Sequence, residues 1–360
     1  MQRRRVGGAR PPRPDRHFKL SAQLASRLPS AISRAVIALG LTAINAAYAG
    51  VVIYDTGVAA TARIALGVND DGSLNTGTGI TRNGSGGAVG VALKFADGLF
   101  YDGTSPGCGC EGWGVSINGA ISGWASVVPG TGGLLPSTAP TGVSGTTVTT
   151  TSQLAAAPGL SVTQAYTAAT LAPGVLFKDT VTITNMTGLS VNNLNFVRVM
   201  DWDIPPTEFS EYVTIHGTGT ASALVRSHDN GFSSPDPLAA STPISAATLN
   251  VDFVDNGPND HGAYFRFDFG TLADKESRIF EIFFGAANSE AGALAAIAAE
   301  GIGLYSLGQS RGGQATGSPA TYIFGFRGVN VPEPDSLALL GLGLLTLGFG
   351  RRRWGKAVRD

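Results

Sequence analysis

The stretch A-Y-F-R-F-D-F-G sets Phe265, Phe267 and Phe269 against Arg266 and Asp268 at strict alternation. Successive side chains of an extended chain point to opposite faces, so apolar and charged residues trading places at period two fit a half-buried strand and no helix. The same signature recurs. In L-F-K-D-T-V-T-I-T-N-M-T-G, Val181 and Ile183 fall on one face and threonines on the other; Asn185 to Ser190 read as a turn into L-N-F-V-R-V-M-D-W-D. V-V-I-Y-D-T-G, T-A-R-I-A-L-G-V, V-A-L-K-F-A-D-G, T-L-N-V-D-F-V-D and S-R-I-F-E-I-F-F-G add further short apolar runs, broken by Asn-Gly, Asp-Gly and Ser-Gly steps. With 50 glycines and only 14% charged residues, where about a quarter is usual, composition favours short strands and turns over long helices.

Residues 129–140 read as an exposed loop, and T-T-V-T-T-T-S after it as an edge or surface strand. One helix is expected: Asn288 or Ser289 caps it, A-G-A-L-A-A-I-A-A-E extends it, and Gly301 ends it. The strand, turn, strand pattern around 176–203 resembles immunoglobulin-like surface domains in pattern only. Two packed antiparallel sheets of about a dozen strands would bury an adequate core at this length.

Both ends carry a different chemistry. Residues 1–34 hold Arg3, Arg4, Arg5, Arg10, Arg13, Arg16, Lys19, Arg27 and Arg34, followed by A-V-I-A-L-G-L-T-A-I and N-A-A-Y-A-G. A basic n-region, a short apolar h-region and Ala47-x-Ala49 before Gly50 predict a secretory signal peptide with an extended n-region, cleaved after Ala49. At the other end, V-P-E-P-D-S precedes L-A-L-L-G-L-G-L-L-T-L-G-F-G and then R-R-R-W. The run from Leu337 to Gly350 is uncharged and partitions into hydrocarbon, yet it is shorter than the roughly 20 residues that span a bilayer comfortably. Arg351, Arg352 and Arg353 can snorkel to headgroups and hold its end on the cytoplasmic side.

Pro332, Glu333 and Pro334, the Leu/Gly run and the arginine cluster, in that order, resemble the PEP-CTERM sorting signal of bacterial exported proteins. Trp354 to Asp360 continue past the arginines, where many such tails stop. The resemblance implies recognition and cleavage near the motif by exosortase, an integral-membrane cysteine transpeptidase. It also implies transient anchoring in the inner membrane, and release to the cell surface or to an exopolysaccharide or biofilm matrix whose polysaccharide is a further expected partner. The chain then divides into a signal peptide at 1–49, an extracellular all-β domain at 50–329 and a sorting and anchor segment at 330–360. The expected fold class is mainly β: an antiparallel sandwich, immunoglobulin- or jelly-roll-like, with one short Ala-rich helix, an N-terminal signal and a C-terminal transmembrane helix.

The net charge of -1 conceals basic ends and an acidic middle, which argues against a grip on nucleic acid. Cys108 and Cys110, in P-G-C-G-C-E-G-W, leave no second pair for a zinc site and are read as a small disulfide staple in a loop or as free thiols. No H-E-x-x-H, G-x-S-x-G or P-loop occurs. His228-Asp229 and Asp260-His261 are His-carboxylate neighbours, as His216 is not; adjacency makes no catalytic pair, so they are expected on surface loops. Asp201 and Asp203 in M-D-W-D-I-P-P share a strand face with Trp202 opposite. Such carboxylates suit acid–base work in a glycosidase or a hard cation, although ending a strand before Pro205 and Pro206 is the preferred reading. N-D-D-G-S-L-N-T-G offers Asn69, Asp70, Asp71, Ser73 and Asn75 around Gly72 and resembles the front of a calcium loop. Its twelfth position lacks the glutamate, Ile80 and Thr81 standing there, so Asp70 and Asp71 are calcium candidates in what is read as a solvated turn, as is the acidic turn 255–261. No cofactor is expected. The function expected is an exported, non-catalytic surface or matrix protein; the alternatives are a carbohydrate-binding or adhesive module offering Trp113, Trp124 and Trp202, and a secreted glycoside hydrolase using Asp201 and Asp203.

Overall fold

The computed structural model describes residues 50–77, 79–136, 140–311 and 319–330. The signal segment with Ala47 and Ala49, and the tail with Pro332, Glu333, Pro334, the apolar run and Arg351 to Arg353, lie outside the described residues. Within them the protein is mainly β, and every ladder between strands is antiparallel. Among the described residues no helix is long and apolar enough to cross a membrane.

A nine-stranded sheet runs in the spatial order Phe253–Asn259, Glu211–His216, Leu304–Ser310, Thr321–Arg327, Ser277–Ala287, Leu176–Asn185, Leu160–Ala168, Thr147–Leu154 and Leu134–Pro136. A five-stranded sheet orders Leu224–His228, His261–Asp268, Asn195–Trp202, Glu111–Ile117 and Ile121–Ser126. A four-stranded sheet orders Val51–Tyr54, Ile64–Val68, Val91–Lys94 and Phe100–Asp102.

Alternation decides how the larger two meet. Phe265 and Phe267 of the five-stranded sheet set their rings edge-on to Phe324 and Phe326 of the nine-stranded one, with centroids between 4.9 and 5.5 Å apart. Phe196 meets Phe280 across the same layer at 4.9 Å. Edge-to-face pairs at these separations add to the burial of each ring, itself about 1.5–3 kcal/mol.

The hairpin read from the sequence around 185–190 is a crossover instead. Leu176–Asn185 pairs with Leu160–Ala168 and Ser277–Ala287, whereas Asn195–Trp202 pairs with His261–Asp268 and Glu111–Ile117 in the other sheet. The Asn185 amide donates to Leu189 O, Leu272 O and Ala273 O, which ties the turn to the end of a neighbouring strand and sends the chain out of its sheet.

The expected loop at 129–140 contains the short strand Leu134–Pro136, so Thr147–Leu154 is flanked at one end rather than bare. At the opposite edge, Phe253–Asn259 carries register shifts, Pro258 and positive φ at Asp255 and Gly257, features that blunt an edge against further pairing.

The helix Glu290–Glu300 forms where expected. Ser289 Oγ accepts from Gly292 N at 3.2 Å, and Gly301 closes the end at φ 66°. It buries Ala293, Ala296 and Ile297 with Phe283, Leu307 and Ile323 of the nine-stranded sheet, so that sheet too is covered on its outer side.

Candidate functional site

The strand Asn195–Trp202 distributes its side chains by parity. Phe196, Arg198, Met200 and Trp202 turn into the layer between the sheets: Trp202 Nε1 donates to Ser306 Oγ at 3.1 Å, and its ring lies 6.5 Å from that of Tyr322. Val197 and Val199 cluster instead with Tyr264, on which the His228 ring stacks at 4.6 Å and 5°. The chain beyond His228 folds over this outer face. Gly231 packs on the Asp201 backbone, and Gly262 N donates to Asp229 O at 2.9 Å. A face that alternation alone leaves to solvent is therefore closed, and Asp201 and Asp203 are each only 1% exposed.

Cross-strand register completes the group. Trp202 stands opposite His261 and Asp201 opposite Gly262, which brings Asp260 level with Asp203. Asp201, Asp203 and Asp260 each place a carboxylate oxygen within 4.8 Å of the other two. Glu211, the ladder partner of Asn259, is fully buried beside them; its Oε1 accepts from Ile204 N at 3.3 Å.

A roof comes from residues 103–110. Gly103 O accepts from Asp203 N at 2.8 Å and Cys110 O from Asp201 N at 2.9 Å. Cys108 and Cys110 are joined by a disulfide, Cα atoms 5.1 Å apart. Cys108 Sγ lies 3.7 Å from Asp201 Oδ2, a contact and not a hydrogen bond, because a disulfide sulfur carries no proton.

Among the described residues no Lys or Arg pairs with any of these four carboxyls. Burial, then the charges of Asp260, Asp102 and Glu208, push Asp203 up to about 8. Burial, opposed by a backbone donor and reinforced by Asp203, takes Glu211 to about 8 as well. Asp201 is raised well above the carboxylate range by burial and by Asp203, Asp260 and Glu211, and burial also raises Asp260.

A second polar group sits in the core. Arg198, fully buried, pairs with buried Glu111, donates to Gln164 Oε1 at 3.1 Å and lies 4.9 Å above the Phe284 ring. Burial holds nearby Asp179 at about 8, against the pull of Arg198.

Several expectations are corrected. His228, Asp229 and His261 are buried, not on surface loops: His261 Nε2 donates to Glu211 O at 3.2 Å and its Nδ1 lies 3.8 Å from Asp229 Oδ2. Among the described residues His216 is the exposed histidine, 3.2 Å from Asp252. Trp113 and Trp202 are core rings with 0% exposure and offer sugars no face; Trp124 is half-buried. The turn 69–75 is packed, not solvated. Asp71 accepts from Ser73 N and Oγ and from Thr131 Oγ1, and Trp113 Nε1 donates to Asp71 O at 3.0 Å. Asp70 sits in the same turn, with Gly72 at φ 80° as the sharp bend requires. The stretch 255–261 is mostly edge strand, with Asp260 at its end.

Surface cavities of about 360 Å³, between Arg63, Phe95 and Asn288, and about 210 Å³, between Thr220 and Phe326, lie away from Asp201 and Asp203. Sequence reasoning singled out the Asp201–Asp203 pair and missed Glu211; it noted Asp260 without joining it to them. The available signal was the run F-V-R-V-M-D-W, apolar on both faces, which marks a strand covered on both sides.

Residues 330–353 match the family model for the PEP-CTERM protein-sorting motif. The chain carries a PEP-CTERM sorting signal. The PEP-CTERM match takes in Pro332, Glu333, Pro334, the Leu/Gly run and Arg351 to Arg353. A PEP-CTERM motif is a sorting signal recognised by exosortase, and it implies export with membrane-associated sorting toward the cell surface. No curated protein matches the chain.

Proposed function

We propose that the protein is an exported exosortase substrate whose body, freed of its signal segment and C-terminal tail, serves without catalysis at the cell surface or in an exopolysaccharide matrix. The observation that carries the export and sorting is the motif at 330–353, its three chemical zones in working order. The matrix destination rests on what the family resemblance implies. The body is read as an extracellular β-sandwich of immunoglobulin or jelly-roll kind, supported by the two antiparallel sheets and their interleaved phenylalanines. A non-catalytic role is supported by the enclosure of Asp201 and Asp203, each 1% exposed, which keeps that pair from a sugar chain. A sugar-binding module loses two of its three indole rings to the core.

Changing Pro332, Glu333 and Pro334 to alanine is expected to leave the protein uncleaved in the membrane fraction, while the parent yields a processed form lacking the apolar run. Mass spectrometry of both termini in the native host reads this directly. Normal release of the triple variant overturns the proposal.

A further inference from the structure

We propose that Asp201, Asp203 and Asp260, with Glu211 beside them, bind one calcium ion in the exported protein. Three carboxylates at the adjoining ends of two paired strands converge so that one oxygen of each lies within 4.8 Å of the others. Calcium takes its ligands at about 2.3–2.6 Å, so oxygens on opposite sides of one ion stand up to about 5 Å apart; all three fit around a single centre.

The unmet demand for positive charge is the second observation. Both oxygens of Asp203, Asp201 Oδ1 and Glu211 Oε2 are buried without a hydrogen-bond partner, and the Asp201, Asp203 and Glu211 side chains have at most 1% exposure. Buried carboxylates are normally paired, hydrogen-bonded or on a metal. The protein meets that rule elsewhere in the same sheet, where Arg198 answers Glu111.

Donor chemistry selects the ion. The donors are all oxygen, the neighbouring cysteines are tied up in a disulfide, and His261 Nε2 is turned to Glu211 O. Oxygen-only sets favour hard cations over zinc or copper. Calcium tolerates an irregular carboxylate cage with water filling the remaining positions, whereas magnesium demands near-ideal octahedral geometry. Half-buried Asp260 is the member nearest solvent and marks the side of entry. The bound ion would cross-link the strand end at Asp201, the chain leading into Pro205–Pro206 and the crossover at Asp260 between the two sheets, beneath the disulfide loop.

The test uses the full chain in detergent, stripped with a chelator, then titrated with calcium chloride or magnesium chloride at matched ionic strength. Thermal unfolding and calorimetric titration are the readouts. Extracellular calcium sites have dissociation constants of about 10⁻⁴–10⁻³ M. At 10 mM calcium, the expected shift in the unfolding equilibrium is therefore about 10- to 100-fold toward the folded state, with one calcium bound per chain. Asp203→Asn and Asp201→Asn remove a ligand charge with little change of shape; each is expected to fold and to lose the response. Asp71→Asn, in the other acidic turn, is expected to keep it. An equal response to magnesium, no response to calcium, or a full response in Asp203→Asn overturns the proposal.

Discussion

Replacing Arg198 by methionine tests what holds the polar centre of the core. The guanidinium has no exposure, and its removal leaves Glu111, also fully buried, with Leu74 N at 2.7 Å as its remaining donor. Breaking a buried ion pair from one side costs about 3–5 kcal/mol, since the surviving charge is left in a poor dielectric. Gln164 Oε1 loses its 3.1 Å donor as well, though Tyr166 Oη still lies 3.0 Å away, so that part stays near the low end of the about 1–3 kcal/mol for an orphaned acceptor. Methionine keeps the packing on Phe284, and Asp179, held at about 8 by burial, stays protonated at neutral pH and adds no second charge. A loss of about 4 kcal/mol is therefore expected for Arg198→Met. Adding Glu111→Gln keeps an acceptor for Leu74 N and removes the stranded charge, so the double variant is expected to recover at least about half of that loss. Urea unfolding of parent, single and double variants, with the slope checked for constancy, gives the cycle. If Arg198→Met lies within about 1 kcal/mol of the parent, or the double variant is no more stable than the single, the buried charge is not what the pair neutralises.

The His228 imidazole, buried first and repelled by Arg226 second, titrates at about 4, below the roughly 6.5 of an unfolded chain. The unfolded state therefore takes up its proton first: this contribution is intact above about pH 6.5 and is lost as pH falls toward 4, by up to about 3 kcal/mol. Urea midpoints at pH 7, 6 and 5 are expected to fall more steeply for the parent than for His228→Gln, and equal slopes refute it. Ser289→Ala removes the acceptor for Gly292 N and is expected to cost about 1 kcal/mol, read as a lower urea midpoint; an unchanged midpoint means the helix holds without its cap.

The strands and the helix were legible because their signals are local. Alternation in A-Y-F-R-F-D-F-G, and Ser289 and Gly301 bracketing an alanine-rich run, each lie within a few residues. The same alternation placed Asp201 and Asp203 on one face, and the structure brings them together. Asp260 and Glu211 join them through the pairings of Trp202 with His261 and Glu211 with Asn259, contacts between segments whose register no single stretch encodes. The two histidines were misread for a related reason: the chain past His228 closes the outer face of the sheet, and a covering segment leaves no periodicity in the strand it covers. Yet the strand itself held a clue. In F-V-R-V-M-D-W, both parities are apolar, so a charged residue within it is buried whichever way it points. Arg198 and Asp201 are those residues, on opposite faces of one strand. Arg198 finds its opposite charge in Glu111, while Asp201 finds two more aspartates. A core that answers one buried charge and compounds the other is best explained by a positive charge supplied from outside the chain, which places the calcium proposal on the same parity argument that identified the strand.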